Sequence, residues 1–272
     1  MEIHTNDDLD LKLIADSGQC FRWQEAGDGT YRIISGDKAA YITRTEEAVF
    51  QLEGCKEDEA YWHNYLDLDE CYRDIRHRID KDFDPFLWEA SRREKGIRIL
   101  RQEPWEMLIS FIISQNKNIP AIQRSIEALC RTTGERHTDI RGEEYFAFPS
   151  PEAVYSLKET ELRACSLGYR CEYIHLAAGA VLDGSINLNS LKTLDFEEAI
   201  GELTKLKGVG IKVASCMVLF GLHQLDAFPQ DVWIKRIVQN EYNGEYPFEK
   251  YSPYNGVYQQ YMFAYYRNHR KE

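Results

Sequence analysis

The sequence predicts an α+β protein, with an N-terminal antiparallel β-sheet domain followed by a mostly α-helical core. Three observations carry this. Residues 9–53 fall into short stretches rich in β-branched and aromatic residues, separated by turn signals. From about residue 57 the apolar spacing becomes helical. Charge divides at a similar place: residues 1–90 carry 10 Lys and Arg against 22 Asp and Glu, whereas residues 91–272 carry 23 of each, so the net charge of −12 belongs to the N-terminal third. A boundary is therefore expected near 85–95, giving a sheet domain with connecting helices over 1–90 and a helical core over 91–272.

The expected strands are DLKLIADS, CFRWQEA, TYRIISG and AAYITR, with turns at Gly27-Asp28-Gly29 and Gly36-Asp37. Ala60, Tyr61, Tyr65 and Leu66, then Cys71, Ile75 and Ile79, mark two helices, with a turn at Asp67-Leu68-Asp69 between them. Asp84-Pro85 starts another helix with proline at its first position. The apolar run WEMLISFIIS follows Pro104, and Asn116-Lys117-Asn118 interrupts it before Ile119–Leu129 resumes. Shorter helices are expected at Glu159–Ala164 and Tyr169–Leu182, and a C-terminal helix at about 253–268.

The composition excludes several classes. No run of about 18 apolar residues is present, so no membrane span is expected. The acidic start MEIHTNDDLDLK lacks the pattern of a secretory signal. Seven scattered cysteines without a CxxC read as free thiols in a reducing, cytoplasmic setting, with no metal site. A net negative charge argues against nucleic acid, yet residues 91–136 hold nine basic against five acidic side chains.

The stretch 203–238 carries the chemistry. Leu203, Leu206 and Val209 lead into Gly208-Val209-Gly210, and Val213, Cys216, Met217 and Phe220 then recur at helical spacing. This is a helix, a glycine hairpin and a helix, at about 198–222. Backbone amides around Gly208, Gly210 and Val213 would grip phosphate without reading bases. An αα-turn with a glycine cap has the same spacing. Lys212 falls in the first turn of the second helix, where the positive dipole end disfavours a cation, which suggests a job as nucleophile. Attack needs the neutral amine, hence burial or a neighbouring cation. Pro229-Gln230-Asp231 opens the next helix with Asp231 at the N-cap, where a carboxylate is held rigidly.

Taken together, SGQCFRW (17–23), YLDLDE (65–70), GIRILRQEPWEMLISFIISQNKNI (96–119), FPS (148–150), LGYRCEYI (167–174), LKGVGIKVASC (206–216), FPQDVW (228–233) and SPYNGVYQQYMF (252–263) resemble the 8-oxoguanine DNA glycosylases, a branch of the helix–hairpin–helix glycosylases. The resemblance runs nearly end to end. It implies a sheet domain, a helical glycosylase core and a site in a cleft. It implies that Lys212 attacks C1′ of a flipped nucleotide through a Schiff base, that β-elimination can then cut the strand, and that Asp231 stabilises charge developing on the sugar. Gly18 would accept the N7 hydrogen that 8-oxoguanine has and guanine lacks. Cys216 and Phe263 would sandwich the purine, and Gln259 would bond its Watson–Crick edge. A Lys212⁺/Cys216⁻ pair is also implied. Asn116, Tyr169 and Arg170 match residues that fill the gap and contact the orphaned base. No cofactor is implied; the expected partner is double-stranded DNA containing 8-oxoguanine, bound by a monomer.

Two departures stand out. Ala121 occupies the position of an arginine that in animal members reads the opposite cytosine, and Trp233 that of a histidine near phosphate. Three rivals remain. An alkylpurine glycosylase of the same superfamily would use the aspartate alone. Endonuclease III-like enzymes usually carry a four-cysteine cluster, absent here. A non-catalytic DNA-binding module would keep only the hairpin.

Overall fold

The computed structural model describes residues 1–269. Five strands, β1 (Glu2–His4), β2 (Trp23–Glu25), β3 (Thr30–Ser35), β4 (Lys38–Glu46) and β5 (Val49–Glu53), form one antiparallel sheet in the order β1-β5-β4-β3-β2. The β3/β4 register sets Ile33 opposite Ala40 and Tyr31 opposite Ile42. Ile33, Ile42 and Leu52 face a core completed by Ile14, Trp62 and Leu66.

One expected strand is a helix. Residues 11–16 of DLKLIADS form α1 (Leu11–Asp16), because the Asp10 carboxylate caps it by accepting from the Leu13 amide at 2.9 Å. Leu11 and Ile14, three apart, then share one buried face. The cap and the spacing outweigh the strand-like composition. The expectation also omits β1, the naming of β5, and a small hairpin, β6 (Arg136–Thr138) with β7 (Glu144–Phe146). That hairpin is docked on the sheet domain through Tyr41, whose hydroxyl donates to Asp139 at 2.8 Å.

The rest is helical: α2 (Glu59–Tyr65), α3 (Tyr72–His77), α4 (Pro85–Arg93), α5 (Pro104–Ser114), α6 (Ile119–Thr133), α7 (Pro151–Tyr155), α8 (Glu159–Ala164), α9 (Arg170–Leu182), α10 (Phe196–Leu203), α11 (Ile211–Phe220), α12 (Val232–Tyr242), α13 (Phe248–Tyr251) and α14 (Asn255–His269). Their starts follow the capping signals. Asp84 accepts from Leu87 ahead of α4, and Asn118 from Ala121 ahead of α6.

Three contacts position the cleft. The Phe111 ring on α5 stacks on Phe220 of α11 at 5.5 Å and meets Phe21 edge-on at 5.7 Å. Gln19 donates to the Arg98 carbonyl and accepts from the Leu100 amide, pinning the 17–21 loop to residues 98–102. The Asp84 carboxylate accepts from Tyr242 and Tyr251, both at 2.9 Å, tying α4 to α12 and α13 beside α14.

Candidate active site

A cleft of about 180 Å³ is lined by Gly18, Lys212, Cys216, Asp231, Gln259 and Phe263, with Lys117 and Gln260 among its other walls. These six are the catalytic and base-binding candidates expected from the sequence. They come from the 17–21 loop, α11, the start of α12 and α14.

Gly18 has φ +79°, a left-handed conformation that favours glycine, and a Cβ built there would stand 4.0 Å from the Phe263 ring. With no side chain, Gly18 lines the cleft through its backbone alone. Cys216 lies one turn beyond Lys212 and is buried. Burial pushes its thiol above the usual cysteine range, and the Lys212 charge only partly opposes this.

Lys212 is the second residue of α11, and its ammonium stands 5.9 Å from the Phe111 ring centre. It is exposed. A neighbouring cation is present: Lys117 lines the same cleft. Lys117 donates to Ser125 and to the Ser166 carbonyl, and its own pKa is lowered by burial and by the charges of Arg170 and Arg124. Its position between two asparagines in a polar break was the available signal in the sequence.

Asp231 caps α12, accepting from the Ile234 amide at 2.8 Å. One carboxylate oxygen is thus fixed by the helix, while the group remains on the cleft wall. Trp233, two residues on, is 39% exposed with the Arg236 guanidinium 5.4 Å from its ring.

The hairpin glycines differ in role. Gly208 has φ +85°, and a Cβ there would lie 2.2 Å from the Tyr173 ring. Gly210 has an ordinary φ of −89°, caps α11, and would meet nothing within 4 Å. Gly208 makes the turn, and Gly210 leaves the helix end open to approach. The first amides of α11, including that of Val213, have no partner within the helix. The Val213 side chain is buried, so only its backbone could meet a ligand. Gln115 ties the end of α5 to the hairpin by donating to the Gly208 carbonyl at 3.0 Å.

Asn116 is exposed at φ +51° and donates to the Tyr169 hydroxyl at 3.2 Å. Tyr169 is 49% exposed beside it. Arg170 follows Tyr169 as the first residue of α9. It is buried, bonded to the carbonyls of Gln115 and Leu167, and stacked 4.3 Å from the Tyr169 ring. In the free protein it holds the surrounding loops.

A sheet domain clamped to a helix–hairpin–helix body, with a lysine and a capping carboxylate on one narrow cleft, defines the base-excision class. Residues 2–108 match the model of the 8-oxoguanine DNA glycosylase N-terminal domain, and residues 109–246 that of the HhH-GPD superfamily of base excision DNA repair proteins. The chain belongs to the 8-oxoguanine DNA glycosylase family. It is similar to the structure of MBOgg1 in complex with a low-affinity DNA ligand, at 36% identity and a TM-score of 0.93 over 99% of this chain and 96% of that one. The Clostridium acetobutylicum 8-oxoguanine glycosylase/lyase, in complex with double-stranded DNA containing cytosine opposite 8-oxoG, matches at 31% identity and a TM-score of 0.90 over 100% and 99%. The Arabidopsis thaliana N-glycosylase/DNA lyase OGG1 is 32% identical over 87% of this chain and 67% of its own length. A 3-methyladenine DNA glycosylase from Archaeoglobus fulgidus shares the fold at 22% identity.

Proposed function

We propose that this enzyme, an N-glycosylase and DNA lyase, removes 8-oxoguanine from duplex DNA. The observation that carries this reading is the single cleft joining Lys212 and Asp231 to Gly18, Cys216, Gln259 and Phe263. The hairpin amides grip phosphate near the lesion, and the damaged nucleotide rotates out of the stack into the cleft. The Gly18 carbonyl accepts the N7 hydrogen of the oxidised base and faces a lone pair on normal guanine, which discriminates between them. The Phe263 ring and the Cys216 thiol hold the purine plane, and Gln259 meets its Watson–Crick edge.

The Lys212 amine forms a bond to C1′ as the C1′–N9 bond breaks, the base leaving with the electron pair and taking up a proton. Asp231 stabilises positive charge developing on the sugar. Loss of the lysine proton and ring opening give the Schiff base. Removal of a C2′ proton then expels the 3′ phosphate. DNA seated over the exposed Lys212 excludes water from the amine, and Lys117 adds a second positive charge to the same cleft.

We read the protein as a monomer acting on genomic DNA in the cytoplasm, a reducing setting that its free thiols fit. No helix among the described residues is long and apolar enough to cross a membrane.

The test is incubation with an 8-oxoguanine duplex and sodium borohydride. A covalent adduct is expected with the wild type and none with Lys212→Gln. Base release without trapping would favour the alkylpurine mechanism, which uses the aspartate alone, and binding without release a non-catalytic module.

A further inference from the structure

Gln259 and Gln260 are consecutive on α14, and each is only 4% exposed. Gln259 Nε2 donates to the Pro229 carbonyl at 3.0 Å. That carbonyl can only accept, so the nitrogen end of the Gln259 amide must face it. The oxygen end then faces Gln260, whose Nε2 donates to Gln259 Oε1 at 2.9 Å. The Gln260 Oε1 is buried with no partner. An unsatisfied buried acceptor costs about 1–3 kcal/mol, so an apolar side chain would serve the fold better at this position. Fold stability does not account for Gln260; its one bond does.

We propose that Gln260 is a positioning residue that, with the Pro229 carbonyl, fixes which way the Gln259 amide faces and so makes the cleft choose a guanine-type Watson–Crick edge over an adenine-type one. This rests on the assignment of Gln259 to that edge. After its two internal bonds, Gln259 retains one N–H and one lone pair. A guanine-type edge sets the O6 acceptor beside the N1–H donor, and an adenine-type edge sets the N6–H donor beside the N1 acceptor. An amide free to rotate by a half turn exchanges its donor and acceptor ends and pairs with either. Here a half turn sets Gln259 Oε1 against the Pro229 oxygen and breaks the Gln260 bond unless that side chain turns with it. Pro229 sets the sense of the amide, and Gln260 holds its plane at the other end. Without Gln260, one bond remains to hold it.

The experiment compares 8-oxoguanine with 8-oxoadenine. Both bases carry the C8 oxygen and the N7 hydrogen, so they differ only at the edge Gln259 meets. Single-turnover release from duplexes with cytosine opposite is measured for wild type, Gln260→Met and Gln260→Leu, with strand cutting at a pre-formed abasic site as the reference. The ratio of 8-oxoguanine to 8-oxoadenine release is expected to fall about fivefold to tenfold in both variants, the size of one neutral hydrogen bond, with any change in abasic-site cutting smaller than this. A ratio equal to that of wild type, whether or not both rates fall, overturns the proposal. A wild type that releases neither base refutes the glycosylase reading instead, and leaves the two failures distinguishable.

Discussion

At the scale of single residues, Asp231 shows how one carboxylate can serve the fold and the reaction at once. Its cap on α12 is a hydrogen bond to the Ile234 amide, which an asparagine can also accept; the charge beside the sugar is something an asparagine cannot supply. We predict that Asp231→Asn keeps the thermal midpoint and DNA affinity but loses most of the single-turnover rate. Asp231→Ala should lose the same rate and about 1 kcal/mol of stability as well. Unchanged excision by the asparagine variant would remove Asp231 from the mechanism. Ala121 offers a second test. It is a half-buried methyl at the start of α6, at the position of the arginine that the family resemblance associates with the opposite cytosine. Excision opposite adenine is therefore predicted to fall only modestly relative to cytosine; a several-hundredfold loss would contradict this. Lys212 was legible because a cation at a helix N-terminus is out of place. Lys117 was marked only by its place between two asparagines and Gln260 by nothing local, since their meaning lies in which carbonyls and hydroxyls the fold sets beside them.

At the scale of elements, the two hairpin glycines are alike in sequence and separable in structure. Gly208→Ala forces a methyl into the Tyr173 ring at a positive φ and should destabilise the protein by more than about 1 kcal/mol. Gly210→Ala should lower the thermal midpoint less than Gly208→Ala, by the loss of a favoured N-cap residue only, while its methyl at the open end of α11 weakens binding to undamaged duplex. Equal midpoints for the two variants would refute the assignment. Most helices were readable from capping residues and apolar spacing. The misread element, α1, is six residues long, too short for periodicity to outvote composition, and only the Asp10 cap marks it. Strands β1 and the β6/β7 pair are three residues each, and such short strands are defined by their partners rather than by a pattern of their own.

At the scale of the whole molecule, the sheet domain and helical body are joined through Asp67. Its carboxylate accepts from Arg101 at 2.6 Å and Tyr72 at 2.8 Å, and meets His223 Nε2 at 3.1 Å, on the loop that follows α11. Burial raises its pKa, but the hydrogen bonds and charges of His223, Tyr72 and Arg101 outweigh this and hold it below the ordinary value. A carboxyl group depressed in the folded state stabilises above its unfolded value of about 3.9 and loses that contribution as pH falls through the folded value. Asp67→Asn should therefore be less stable than wild type in urea at pH 7, with the gap narrowing as pH drops below about 4. A gap independent of pH would sink the linkage. Neither this junction nor the cleft could be read from local pattern, because their residues are far apart in sequence. Only the resemblance grouped Gly18 with Phe263.

That last pairing has a topological side. Gly18 and Phe263 border one another, and nearby Arg267 reaches back to the Asp16 carbonyl, so the base pocket lies where the polypeptide closes on itself into a single large ring. Lys212 and Asp231 sit together on one arc of that ring, joined by a short connection between α11 and α12. Anything that parts the seam opens the wall that recognises the base while leaving the two reactive groups neighbours. The power to choose a base is thus held by contacts between residues far apart along the chain, and the power to break a bond by two residues that a single connection between helices joins.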